Sequence, residues 1–121
     1  MNLIQEIVLQ HGRSSPYKRI MENPTKTAEI ENPLCGDSLK IDIKITEGRI
    51  TDICFVGDGC LISQAAASLL LDKVKKVKKI DKIKEFDRDT IVNLLGFRPT
   101  PSRIKCAVLS LEALQKALIN Y

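Results

Sequence analysis

Ser-Leu-Lys-Ile-Asp-Ile-Lys-Ile-Thr (38–46), Glu-Gly (47–48) and Arg-Ile-Thr-Asp-Ile-Cys-Phe-Val (49–56) form the stretch that decides the fold class. Leu39, Ile41, Ile43 and Ile45 alternate with Lys40, Asp42 and Lys44. A period of two puts the apolar side chains on one face of a strand and the charged ones on the other. Glu47-Gly48 reads as a turn. From Ile50 to Val56 a second strand returns, with Thr51, Ile53 and Phe55 opposite Asp52, Cys54 and Val56. The pair predicts a β-hairpin. Upstream, Thr27 to Glu31 reads as a short edge strand that Asn32-Pro33 ends, leaving Cys35-Gly36-Asp37 on a loop.

Downstream of the hairpin the period changes. Leu61, Ile62, Ala65, Ala66, Leu69, Leu70, Val74 and Val77 recur at helical spacing and predict a long helix packed on the sheet. Gly57 and Gly59 sit between strand and helix and allow tight backbone at Cys60. Asp89 is positioned to cap a short helix through Leu95, closed by Gly96. Pro99 and Pro101 make a stiff link. Ser102 then caps a last helix to about Ile119, with Cys106 off its apolar stripe and Arg103 on the same side. At the N-terminus, Asn2 to Gln10 reads as a short amphipathic helix interrupted by Gly12 and Pro16. Tyr17, Ile20 and Met21 suggest another helical turn, ended by Asn23-Pro24.

The 121 residues form one domain (1–121), with 44% apolar and 28% charged residues, an ordinary globular composition. No apolar run approaches the roughly 18 residues of a membrane span. The first residues carry an early acid and no basic cluster, which argues against a signal peptide and for a cytoplasmic location. Thiols in such a reducing compartment bind metal or react, and a pair of disulfides is the less favoured reading. The net charge of +4 is uneven: residues 72–84 hold seven lysines and two aspartates, a local +5, so the remainder sums to −1. That run reads as a solvated helix face or as a docking surface for an acidic protein. Nucleic acid is disfavoured, because the chain has two Tyr, three Phe and no Trp to interleave with the basic residues.

Three of the four cysteines have special neighbours: Cys35 in Asn-Pro-Leu-Cys-Gly-Asp, Cys60 in Gly-Asp-Gly-Cys and Cys106 in Arg-Ile-Lys-Cys-Ala. Thiols beside glycine or at a helix start are placed for exposure and a lowered pKa. Gathered with Asp37 they would make a soft, anionic, four-ligand site suited to Zn²⁺ or to an iron–sulfur cluster. Spacing alone leaves the alternative that they are small buried residues scattered by chance. Cys54, mid-strand, reads as a packing residue or a partly exposed strand position. His11, the sole histidine, reads as a polar helix end, since no thiol is placed to pair with it as a nucleophile.

Asn-Pro-Leu-Cys-Gly-Asp (32–37), Gly-Asp-Gly-Cys-Leu-Ile-Ser-Gln-Ala-Ala-Ala-Ser (57–68) and Arg-Ile-Lys-Cys-Ala-Val-Leu (103–109) together resemble the U-type iron–sulfur assembly proteins: IscU, SufU and the N-terminal module of NifU. The resemblance implies an α+β fold (SufE/NifU-like), a small, mostly antiparallel three-stranded sheet with helices on one face. It implies ligands at Cys35, Asp37, Cys60 and Cys106, holding a transient 2Fe–2S cluster or zinc. It further implies a cysteine desulfurase as sulfur donor, apo iron–sulfur proteins as recipients, and no membrane partner. Cys106 is the implied sulfur acceptor, with Arg103 and Lys105 beside it. IscU-like chains carry His where this one has Lys105, which looks like SufU, yet the SufU insertion between the second and third cysteines is absent. Thr100-Pro101-Ser102-Arg103-Ile104-Lys105 stands where IscU has its Leu-Pro-Pro-Val-Lys chaperone signal. The expected function is a non-enzymatic scaffold or sulfur acceptor. The alternatives are a zinc-bound sulfur-transfer partner that scaffolds no cluster, and a purely structural zinc domain.

Overall fold

A computed structural model describes residues 3–33, 36–119 and 121. The elements run α1 (Leu3–Arg13), β1 (Lys26–Asn32), β2 (Asp37–Thr46), β3 (Arg49–Val56), α2 (Leu61–Val77), α3 (Ile80–Ile83), α4 (Arg88–Leu95), α5 (Pro101–Ala107) and α6 (Leu109–Leu118). The three strands form one antiparallel sheet in the order β1-β2-β3. Leu39, Ile41, Ile43, Ile53 and Phe55 point to one face and pack with Leu70, Val74, Ala107, Leu111 and Leu114 of the helices. The expected α+β architecture, with helices on one face, is what the chain adopts. Glu47 and Gly48 both take positive φ (52° and 73°), the left-handed pair that lets a two-residue turn match the strand twist. A register shift at Lys44/Ile45 turns Ile45 partly out of the core.

Three departures from the sequence reading have physical causes. The chain around Tyr17 is not helical. The Phe55 amide donates to the Tyr17 carbonyl at 2.9 Å, and the Arg19 amide donates to the Phe55 carbonyl at 3.1 Å. The open edge of β3 thereby gains a partner, which outweighs weak local helix propensity. The Thr25 amide then donates to the Ile43 carbonyl at 2.7 Å, so residues 20–24 strap the outer face between the two sheet edges. Met21 of that segment is buried, as are Asp42 and Cys54 of β2 and β3. Asp42 accepts from the Thr27 hydroxyl at 2.7 Å, and burial pushes the Cys54 thiol up. Cys54 is the packing residue its mid-strand position suggested.

Gly12 is not a breaker either, for α1 continues to Arg13. A Cβ at Gly12 would lie 2.5 Å from Leu61 Cδ1 and 2.8 Å from the Leu61 carbonyl oxygen, so the glycine lets α1 close onto the start of α2. The third departure concerns the later helices. Asp87, not Asp89, caps α4, with Thr90 completing a reciprocal capping box and Gly96 ending the helix at φ 78°. Thr100 rather than Ser102 precedes the next helix, because Pro101 is pre-set for the first helical position. That helix breaks at Val108 into α5 and α6. The lysine run is also not one helix: Lys78, at φ 67°, ends α2, and α3 begins at Ile80.

Candidate metal centre

The sheet and α2 meet through a short glycine-rich connection. Gly57 takes φ 151°, and its α-carbon lies so close to the Ser38 carbonyl that a side chain there would collide with β2. The Ser38 amide donates to the Asp58 carbonyl at 2.8 Å. These contacts lay residues 57–59 along the start of β2. Asp37, expected on a loop, is the first residue of that strand and pairs with Asn32. Gly59 packs against its carboxyl group: a Cβ at Gly59 would stand 3.1 Å from Asp37 Cγ and would strike the Ser63 hydroxyl. Cys60 follows as the residue preceding α2, in extended conformation at φ −70°, ψ 166°.

α5 supplies the third group. Asp37, Cys60 and Cys106 bring one carboxylate oxygen and two sulfurs within 4.8 Å of one another. The three residues come from β2, the start of α2 and α5, so the tertiary structure performs the convergence that spacing left open. Cys35 lies outside the described residues, as does Asn2. Asp37 and Cys106 are buried, and Cys60 is half-buried. Asp37 Oδ2 is buried with no hydrogen-bond partner among the described residues. An unpaired carboxylate oxygen beside two sulfurs is a costly arrangement unless a cation completes it. The donor set fits a thiophilic ion such as Zn²⁺, or a cluster iron.

Electrostatics prepare the thiols unequally. Burial pushes Cys60 up, and the Asp37 charge adds to this. The Ser63 amide and hydroxyl and the Arg103 guanidinium act the other way and prevail, holding the thiol below its usual range. The Ser63 hydroxyl also donates to the Cys60 carbonyl at 2.9 Å. Cys106 was expected in the first turn of a helix, with help from the dipole. It instead occupies the last turn of α5, where its sulfur lies 3.9 Å from the Ser102 carbonyl oxygen, beyond the reach of the helix N-terminus.

Of the other candidate residues, Arg103 reaches the Cys60 thiol. Lys105 lines a 350 Å³ cleft with Arg88, Glu31 and Glu112, between α5 and the end of β1. His11 is committed elsewhere, with Nδ1 2.7 Å from the Ser68 hydroxyl, two helical turns beyond Cys60. Ser63, which the sequence reading passed over, hydrogen-bonds the Cys60 thiol and lowers its pKa. Its position three residues after Cys60, where a capping partner belongs, was the available signal.

A small α+β domain that gathers thiols and a carboxylate at one end of its sheet defines a class of sulfur- and metal-handling proteins, and comparison identifies which one. The chain belongs to the NifU-like N terminal domain family, which it matches over residues 5–121. It is 28% identical to the "iron-sulfur cluster assembly scaffold protein IscU" of Thermotoga maritima, covering 96% of this chain and 92% of that one. It is 30% identical to the "zinc-dependent sulfurtransferase SufU" of Bacillus subtilis, covering 96% and 89%. Among solved structures it resembles a putative iron–sulfur cluster assembly scaffold protein for the SUF system from Fervidobacterium islandicum (TM-score 0.76, 25% identity, covering 93% and 94%). It shares its fold with a NifU-like protein of Brucella abortus (TM-score 0.80, 16% identity, covering 94% and 90%). Among the described residues no helix is long and apolar enough to cross a membrane.

Proposed function

We propose that this protein serves iron–sulfur cluster assembly as a scaffold and sulfur acceptor for a cysteine desulfurase. Asp37, Cys60 and Cys106 are its ligands, with Cys35 as a fourth drawn from the sequence. The single observation that carries the reading is the meeting of one carboxylate and two sulfurs, from three distant segments, within 4.8 Å. Zinc bound there would keep the thiols ionised and together; a nascent cluster would be cargo.

The chain's own residues supply the rest of the chemistry. A cysteine thiolate, Cys106 by its place in the motif, attacks the outer sulfur of the desulfurase persulfide. A sulfur–sulfur bond forms at Cys106, the bond within the donor persulfide breaks, and the desulfurase cysteine leaves as its thiolate. Arg103, beside Cys60, offsets the negative charge that accumulates. Exposed Lys105, on the same helix, is placed to meet an anionic partner surface rather than to ligate metal. A lysine at this position, where a histidine would be a further ligand, favours the zinc-bound acceptor role over stable cluster holding.

Single-turnover persulfide transfer from the desulfurase tests the acceptor role. Cys106→Ser is expected to abolish transfer to this chain, and Asp37→Ala to slow it at least tenfold, the scale on which disturbed metal sites lose function. Unchanged transfer in both variants would falsify it. Elemental analysis of protein purified without oxygen divides the two forms: zinc near one per chain marks the acceptor, and iron with acid-labile sulfide marks the scaffold.

A further inference from the structure

Gln64 has no partner where it most needs one. Its residue exposure is 7%, and both Nε2 and Oε1 are buried without a hydrogen bond among the described residues. A buried amide unpaired at both ends bears the desolvation cost of each group with nothing to offset it. Leucine or methionine would fill this helix position without that cost. Of its buried neighbours on α2, Ala65, Ala66 and Ala67 are apolar, while Ser63 and Ser68 have hydroxyl partners elsewhere, Ser63 with the Cys60 carbonyl and Ser68 with His11 and Ser15.

The position gives the reason. The Gln64 amide donates to the Cys60 carbonyl at 3.1 Å, closing the first turn of α2. Residues four apart lie on one side of a helix, so Gln64 falls on the side of α2 from which Cys60 leads in. Helical side chains lean toward the N-terminus and cover the turn before their own α-carbon. The covered turn is the one that begins at Cys60, and beyond its end lie Asp37 and Cys106. Asp37 Oδ2 is likewise an acceptor without a donor among the described residues. A loaded site gathers negative charge on sulfur and carboxylate, and an amide N–H aimed at it makes a charge-assisted hydrogen bond.

We infer that Gln64 is a positioning residue for this centre, its side-chain amide donating to the anionic ligand atoms once a metal ion or cluster is bound. This rests on the metal-site reading above. Donors of this kind, behind the direct ligands, govern metal affinity and the electronic character of bound sulfur.

The test uses Co²⁺ as the probe metal and the full chain without oxygen. Gln64→Met keeps volume and removes both polar ends. Its metal-free form is expected to melt at or above the wild-type temperature, because an unsatisfied buried amide is gone. Its cobalt affinity is expected to fall 10–100-fold. The sulfur-to-cobalt charge-transfer band should move to lower energy, because the sulfur has lost a donor. Gln64→Glu, of the same shape but presenting oxygens, should lose at least as much affinity, and it keeps the test alive if the methionine variant does not fold. Wild-type affinity and band position in either folded variant overturn the inference while leaving the metal site intact. Failure of the wild-type protein itself to take cobalt overturns the metal-site reading and this inference with it.

Discussion

Alanine at position 59 would push a methyl group into the Ser63 hydroxyl and to 3.1 Å from Asp37 Cγ. Overpacking of this kind costs about 1–3 kcal/mol. The damage would fall on the candidate site, because Asp37 is one of the three residues that could hold a metal and Ser63 helps lower the Cys60 thiol. Gly59→Ala is therefore expected to lower zinc affinity at least about tenfold, measured by competition with a chromophoric chelator, while far-UV circular dichroism stays that of the folded chain. Wild-type affinity in this variant would show that the close approach is idle. The sequence flagged Gly59 as a site of tight backbone, but which atoms crowd it depends on two other segments.

At the scale of the element, α2 is held by contacts that a strand-and-helix reading does not contain. The Tyr17 hydroxyl donates to Asp72 Oδ1 at 2.7 Å, tying the segment beside β3 to the outer half of α2. Burial and this bond push the Tyr17 phenol up from 10.0 to about 12. The same bond, foremost, and Lys76 hold the Asp72 carboxyl below its ordinary 3.8. Each shift fixes a window. The Asp72 contribution is present above the unfolded carboxylate value and is lost as pH falls through its lowered folded value. The Tyr17 contribution is present below pH 10 and is lost as pH rises toward 12. Tyr17→Phe is thus expected to lower unfolding free energy by about 1 kcal/mol near neutrality. The gap from wild type should close below pH 4 and again above pH 10. Denaturant unfolding across that range measures it, and a gap independent of pH would mean the bond contributes nothing. Caps behaved similarly: the α4 helix was legible, but its cap is Asp87 rather than Asp89, because Thr90 sits where Asp87 needs a reciprocal partner.

For the whole molecule, the apolar core and the candidate centre are separate. The buried apolar cluster that holds Ile41, Ile43, Phe55, Leu70, Leu71 and Leu114 includes none of Asp37, Cys60 and Cys106. A metal would then stabilise by binding to an already folded chain, not by creating the fold. Chelation is expected to lower the melting temperature but to leave far-UV circular dichroism at 25 °C unchanged. Unfolding on chelation would instead make this a structural zinc domain. The lysines lie at the opposite end: α2 is 17 residues and about 25 Å long, with Cys60 at its start and Lys75, Lys76 and Lys78 at its finish. At that distance, beyond two Debye lengths at physiological salt, the basic end leaves the thiols untouched.

Alternation over residues 38–56 and the change of period at Leu61 determined the hairpin, the long helix and the α+β class, because one buried face per element is a local pattern of side chains. The motifs around Cys35, Asp37, Cys60 and Cys106 singled these residues out as candidate ligands. Only the tertiary structure decided that Asp37, Cys60 and Cys106 meet, that Tyr17 and Arg19 complete the sheet edge, and that the Gln64 amide is buried without a hydrogen bond among the described residues. Each of those depends on distances between segments far apart in the chain, and such distances are set by packing, which no single stretch of residues encodes.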